Sequence, residues 1–262
     1  MGSIMNNAIF ATSLIAVFAT APVQSARAEE NGKFTLETGM DYSTGKYGGT
    51  QSTSILYVPV TGKYQGKLWT LKLTVPYLQI SGPYNVINGV GLTGAVTTTS
   101  TTRSGLGDVV VAATRYVYNR SSSGLMVYMT GKVKLGTASS TQGLGTGKND
   151  YAFQSEVYQL TGSLTSFGTL GYRVYGKPTG YSLNNVFYGL LGGSYQLDQE
   201  TYGGMMLNLA QKSTATGASR MEAILFASHK LDQNLKAQGY VLKGFTRSVP
   251  DWGIGASIGV LL

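Results

Sequence analysis

WTLKLTVPY, residues Trp69 to Tyr77, is the stretch on which the fold turns. Strand side chains alternate between two faces. Trp69, Leu71, Leu73, Val75 and Tyr77 therefore share one face, and Thr70, Lys72 and Thr74 (with Leu68 before them) share the other. The apolar face starts and finishes on an aromatic residue, which places Trp69 and Tyr77 where the two interfacial girdles of a bilayer-crossing strand belong. A charge held against hydrocarbon at mid-depth costs about 2–4 kcal/mol, so Lys72 has to point into a lumen.

The same reading extends outward along the chain. Leu125, Val127, Met129, Val133 and Leu135 oppose Tyr128, Thr130, Lys132 and Lys134. Met221, Ala223, Leu225 and Ala227 oppose Arg220, Glu222, Ser228 and Lys230, and Trp252, Ile254, Ala256, Ile258, Val260 and Leu262 oppose a line of Gly and Ser. Twelve segments of this kind are predicted, at 33–43, 50–61, 66–80, 105–118, 124–135, 150–161, 163–176, 185–198, 201–212, 219–231, 234–245 and 252–262. Strands of about five or six residues are usual in soluble domains, whereas about 9–11 tilted residues cross a bilayer. Connections alternate between short (TGKY at 61–64, NRSSS at 119–123, Gly162, QE at 199–200, DQ at 232–233) and mostly longer, the longest being Ser81–Ser104 and Gly136–Asn149. Short periplasmic turns and long external loops produce that asymmetry. The fold class expected is all-β: a single antiparallel up-and-down transmembrane barrel of about 12 strands. One segment strains the pattern, because Asp108 and Arg115 fall on opposite faces, which predicts a bulge or an Arg115 at the interface.

Composition agrees. The 262 residues include 36 Gly and 18 Tyr, no Cys and one His, and only 12% are charged, about half the usual quarter. Disulfides, thiolate metal sites and Cys nucleophiles are excluded, and with a single His most His-based metal clusters go too. The net charge of +8 is scattered, with no run of three Lys or Arg, which argues against a nucleic-acid surface. Ile9 to Ala21 is apolar but only 13 residues long, too short for a spanning helix. Pro22 and then Ala26-Arg27-Ala28 follow it, so residues 1–28 read as a cleaved secretory signal peptide, although Met1 to Ala8 holds no Lys or Arg. Residues 29–262 are the expected barrel, whose three named interface aromatics are Trp69, Tyr77 and Trp252.

Parity gives the inward candidates as Glu37, Asp41, Lys72, Asp108, Lys132, Lys134, Glu156, Arg173, Arg220, Glu222 and Lys236, with a modest cationic excess. A lumen of twelve strands lies between one filled by side chains and an aqueous pore. The expected function is passive diffusion of small solutes, anionic or aromatic acids, through a narrow passage. The alternatives are a closed structural or ligand-binding barrel acting through its external loops, and a lipid-acting enzyme. Gly143-x-Gly145-x-Gly147 lacks the strand–turn–helix context of a phosphate loop, and Asn119-Arg120-Ser121 reads as a tight turn. His229 and its neighbour Ser228 point to opposite faces, so they do not form a nucleophile–base pair. No catalytic residue, metal site or cofactor is assigned, and the partners expected are outer-membrane lipid, the barrel-assembly machinery and a small solute.

Several segments carry a resemblance: Trp69–Tyr77 with Ser81-Gly82-Pro83, Gly105–Asp108, Gly131–Gly136, Gly143–Asp150, Leu170–Gly176, Ser228–Lys230, and Gly239–Phe245 with Pro250–Gly253. Together they resemble the proteobacterial outer-membrane transporter family named after the meta-pathway of phenol degradation. The resemblance covers most of the chain after residue 28 and implies an outer-membrane β-barrel linked to uptake of aromatic compounds, with no catalytic residues to transfer. One position departs from it: such barrels usually end on an aromatic residue read by the assembly machinery, and Leu262 stands there, which implies either weaker recognition or a leucine that the machinery tolerates. Mass spectrometry of the exported chain is expected to find Glu29 at its amino terminus; a start upstream of Ala26 would refute the cleavage assignment.

Overall fold

The structure is a computed structural model that describes residues 32–83, 86–88, 90–92, 99–120, 123–179 and 182–262. The expected signal peptide, residues 1–28, lies outside the described residues. The strands in chain order are β1 (Lys33–Gly45), β2 (Thr53–Gln65), β3 (Trp69–Pro83), β4 (Val86–Ile87), β5 (Gly91–Leu92), β6 (Ser100–Leu106), β7 (Val110–Arg120), β8 (Leu125–Lys134), β9 (Asp150–Thr161), β10 (Leu164–Val174), β11 (Val186–Gln196), β12 (Thr201–Ala210), β13 (Arg220–Lys230), β14 (Leu235–Gly244) and β15 (Trp252–Leu261).

In the wall β1 pairs antiparallel with β2, β2 with β3, and each of β7 to β14 with the strand that follows it, and β15 returns to β1 with Thr35 opposite Leu261 and Thr44 opposite Trp252, which closes the sheet. β6 and β7 both pair with β3, β6 along Tyr77–Pro83 and β7 along Trp69–Thr74. They therefore share one place in the wall, and the barrel has twelve. The small hairpin of β4 and β5 is a separate sheet. Connections at one rim are short (66–68, 121–124, 162–163, 197–200, 231–234) and form the turn end. Those at the other (46–52, 84–99, 135–149, 175–185, 211–219, 245–251) form the loop end.

Burial is inverted relative to a soluble protein. On β3, Leu71 and Leu73 are half exposed, whereas Lys72 between them is 8% exposed. Inside, Lys132, Glu156 and Glu222 are buried; outside, Leu191, Leu225 and Ile254 are not. Charged residues are almost never this buried in a soluble fold, and an apolar surface this continuous is stable only against hydrocarbon. Exposed aromatics gather at both rims: Phe34, Tyr64, Trp69 and Tyr118 near the turn end; Tyr42, Tyr77, Tyr151, Phe153, Tyr172, Phe187 and Trp252 toward the loop end. Tyr42 and Trp252 have ring centroids 5.7 Å apart, and Tyr172 and Phe187 4.7 Å.

Three boundaries differ from the sequence reading, each for a local reason. The first turn is not TGKY. β2 continues through Gly62, Lys63, Tyr64 and Gln65, and the chain reverses at 66–68. The expected loop Ser81–Ser104 holds the end of β3, the hairpin and the start of β6. The expected strand 105–118 breaks at 107–109, where it passes Pro76 on β3. Proline gives no N–H to the ladder. Gly107 N donates instead to Pro76 O (2.8 Å), and 108–109 turn toward the next loop: Leu135 N to Val109 O at 2.8 Å and Ala138 N to Asp108 Oδ1 at 2.9 Å. Beyond the break, the register shifts between Tyr116 and Tyr118, and the Arg115 guanidinium lies 5.4 Å from the Trp69 ring centroid. Bulge and interfacial arginine thus occur together.

An arginine at Leu73, on the lipid face, is expected to lower unfolding stability in phospholipid vesicles by about 2–4 kcal/mol. Thr74→Asn, on the lumen face, should change it by less than about 1 kcal/mol. Equal losses from denaturant titration would contradict the assigned faces.

Candidate functional site in the lumen

Inward residues are related across strands by register. Lys63 on β2 lies opposite Lys72 on β3, Lys72 opposite Ala112 on β7, and Ala112 opposite Lys132 on β8. Lys132 in turn faces Ala152 on β9, and Ala152 faces Arg173 on β10. Four cations and two alanines thus form a single inward row. It starts two residues from the turn-end limit of β2 and finishes one residue from the loop-end limit of β10, so it climbs the barrel as tilted strands require. Neighbouring strands are about 4.8 Å apart, so Lys72 and Lys132 have backbones about 10 Å apart, as do Lys132 and Arg173.

The ends of the row are held. Lys63 Nζ pairs with Glu37 Oε1 at 3.2 Å. Arg173 Nη1 donates to Tyr175 OH at 3.0 Å, and its guanidinium lies 5.3 Å and 5.5 Å from the Tyr175 and Tyr188 ring centroids. The middle differs. Lys72 and Lys132 are 8% and 3% exposed, and among the described residues neither has an ion-pair or hydrogen-bond partner. Glu156 is held below them by Thr130 Oγ1 (2.7 Å), Gln154 Nε2 (2.7 Å) and Tyr158 OH (3.4 Å). Hydroxyl pairs line the same wall, Thr61 with Thr74 and Thr114 with Thr130, both at 2.9 Å.

An apolar cluster runs through the lumen from β8 to β14. Phe167, Leu190, Met206, Ile224, Phe226 and Leu242 form a continuous cluster with Tyr128, Tyr158 and Tyr240. Rings lie flat because glycines on adjacent strands carry no Cβ: one added at Gly171 would fall 2.3 Å from the Tyr188 ring, and one at Gly204 2.4 Å from that of Phe226. Gly255 serves a polar contact in the same way. It lies between Asp41 and Tyr240 in register, and the Tyr240 hydroxyl donates to Asp41 Oδ1 across it.

The remaining sequence candidates sit as follows. Lys134 pairs with Asp108 (2.5 Å) and Asp150 (3.3 Å) near the loop end. Arg220 pairs with Glu222 at 3.3 Å. Lys236 shares a row with Glu37 across Gly259. Trp69, Tyr77 and Trp252 are exposed on the outer face. Sequence reasoning missed Lys63, which it placed in a turn, and Arg103, which it placed in a loop. Arg103 is buried and donates from Nη2 to Val86 O (2.6 Å) and Pro83 O (3.3 Å). It also assigned no role to Tyr57, Tyr188 and Tyr240. Extending the alternation of Thr53, Ile55, Tyr57 and Thr61 past Gly62 would have found Lys63.

The loop-end mouth is covered. Ile87 and Val90, on the hairpin that follows β3, pack with Tyr175, Leu183 and Val186 beside β10 and β11, across the barrel. Ser213 Oγ donates to Val90 O at 3.1 Å. His229 is exposed at the turn end, with Nδ1 2.9 Å from Thr201 Oγ1, while Ser228 is buried inside. Gly143, Gly145 and Gly147 lie in the loop before β9, with no helix following. Among the described residues, no group of three His, Cys, Asp or Glu side chains could hold a metal ion.

A closed barrel with an apolar exterior and a charged lumen is the fold of outer-membrane β-barrel proteins. No family model matches the chain, and no curated protein does. Solved structures do match. An outer-membrane channel from Pseudomonas putida aligns over 92% of this chain and 100% of its own, with a TM-score of 0.73 and 12% identity. The NanC porin aligns over 87% of this chain and 100% of its own, with a TM-score of 0.58 and 11% identity. At these identities the likeness establishes the fold: a closed antiparallel barrel of twelve places.

Gly255→Ala would put its Cβ 2.3 Å from Asp41 Oδ1 and 2.4 Å from the Tyr240 ring, so a loss of about 1–3 kcal/mol is expected on unfolding. Gly131→Ala, with nothing within 4 Å, should cost less than about 0.5 kcal/mol. Thermal melts of both variants in the same detergent compare them directly.

Proposed function

We propose that this chain is a passive channel of the Gram-negative outer membrane, passing small solutes with a preference for anions, and for those with an apolar or aromatic body. Lys72 and Lys132 carry the proposal: two lysines inside the lumen, without ion-pair or hydrogen-bond partners among the described residues, in a barrel whose interior also holds an aromatic cluster. At an effective dielectric of about 20, unit charges 4 Å apart interact by about 4 kcal/mol, enough for such a pair to sort anions from cations. The cluster's rings and aliphatic side chains suit the body of a solute whose acidic group tracks the cations. The sequence resemblance to the meta-pathway transporter family supports aromatic compounds as cargo. In this reading residues 1–28 direct export, the barrel-assembly machinery inserts the chain, the turn end faces the periplasm, and lipid surrounds the outer band. Among the lumen candidates, Glu37, Asp108, Lys134, Arg220 and Glu222 stiffen the wall by pairing, and Lys72 and Lys132 meet solute.

A second reading, a closed barrel that acts through its external loops, is favoured by one observation: the packing of Ile87 and Val90 across the mouth. Planar-bilayer recording of residues 29–262, refolded in detergent with β circular dichroism verified, separates the two. Discrete current steps with a reversal potential displaced toward that of the anion in a salt gradient are the expected result. A cation-selective reversal potential would refute the anion preference. A silent but folded sample would support the closed barrel.

A further inference from the structure

The unequal treatment of the lumenal cations points to a discrete ligand site. Lys134 has two carboxylates, Lys63 has Glu37, and Arg173 has Tyr175 and Tyr188. Lys72 and Lys132 sit between Lys63 and Arg173 in one row and have no ion-pair or hydrogen-bond partner among the described residues, although each is more than nine-tenths buried. Burying an ammonium with no carboxylate in contact is costly, and burying two near one another is costlier still. The residue between them in register is Ala112, itself 4% exposed. A methyl group there puts no long side chain of β7 between the two lysines. On the next strand Ala152 does the same between Lys132 and Arg173.

We propose that Lys72 and Lys132 form a binding site, over Ala112, for one small divalent oxyanion: a dicarboxylate, or phosphate in its divalent form. The inference rests on the channel reading and deepens it, since it replaces a diffuse preference for anions with a charge-matched resting place midway along the row. Two lysines whose backbones are about 10 Å apart, each on a flexible four-carbon stem, converge on a ligand that offers oxygens at two ends. A dicarboxylate satisfies both without crowding. A monocarboxylate engages one ammonium and leaves the other exposed to its neighbour's charge. Thr74 and Thr130, on the rows flanking the pair and already bonded to Thr61 and Thr114, give the site a polar floor and roof. The apolar cluster contributes nothing to a compact dianion, so this ligand need not be aromatic.

The test uses refolded residues 29–262 in a planar bilayer in chloride, with succinate, phosphate or acetate added at matched ionic strength. Succinate is expected to interrupt the current at concentrations at which acetate leaves it unchanged. Lys72→Gln and Lys132→Gln should each weaken that block by roughly tenfold or more, the scale of one charge-assisted hydrogen bond. Ala112→Phe, which keeps both lysines and fills the space between them, should abolish it. Phosphate blocking as well as succinate would identify charge as the criterion; succinate alone would identify the two-ended shape. Either result supports the site. Equal block by succinate and acetate, or a block unchanged in both glutamine variants, would overturn it. If the folded barrel passes no current, the channel reading fails separately. Isothermal calorimetry of succinate into the detergent-solubilised wild type and its Lys132→Gln variant then decides the site, with heat in the first and none in the second as the supporting outcome.

Discussion

Hydrocarbon offers no hydrogen bond to a peptide group, and from that constraint the rest of the molecule follows. Every N–H and C=O at bilayer depth must find its partner in the protein, which an extended chain achieves only when its sheet has no free edge. The pairing of Thr35–Thr44 with Leu261–Trp252 is therefore a condition on the whole wall as well as one more ladder. Closure then divides side chains by parity, and lipid and lumen impose opposite chemistries on the two sets. Even the irregularities respect the constraint. Where Pro76 withholds its N–H, the strand breaks at 107–109 and the orphaned groups are taken up by Leu135, Thr137 and Ala138 from the next loop.

A closed barrel of this size has a further problem, which is what to do with its inside. In places it solves this with paired charges and hydroxyls, and in others with rings laid on glycines. A ring flat on the neighbouring strand's backbone covers wall without projecting to the axis. Gly171 under Tyr188 and Gly204 under Phe226 show the device, and it accounts for part of a glycine content that looks extravagant in a sheet, where glycine weakens a strand by entropy. At Gly255 the same absence of a Cβ admits a short polar contact, Tyr240 to Asp41.

Face assignment was legible in the sequence because it depends only on alternation within one strand. Trp69 to Tyr77 told its inside from its outside without reference to any other residue. The closed antiparallel architecture followed from the lengths of strands and the alternation of connections. What the sequence hid was everything that depends on register between strands. That Lys72, Ala112, Lys132, Ala152 and Arg173 lie in one row is a fact about five separate segments, and no periodicity within any of them contains it. Lys63 was lost to a different effect: Gly62 reads as a turn residue by composition, and only its pairing opposite Leu36 and Leu73 keeps it within a strand. Pro76 was visible in the sequence, but its consequence appears some thirty residues later, on the strand it faces.

The row also bears on how function is carried by a fold selected for closure. Charges that stabilise a lumen do so by finding partners, and a partnered charge has little left to offer a passing solute. Lys134, bound to Asp108 and Asp150, joins the loop 135–149 to the wall, and its attraction for an anion is spent. A lysine kept from its natural partner destabilises the barrel slightly and keeps its field. Glu156 could have neutralised Lys132; instead Thr130, Gln154 and Tyr158 hold its carboxylate. Hydrogen bonds from these neutral groups hold the Glu156 carboxyl out of ion-pair contact with the cation above it. Separation of the two charges by polar side chains, rather than any excess of lysine over glutamate, is what leaves Lys72 and Lys132 available to an anion.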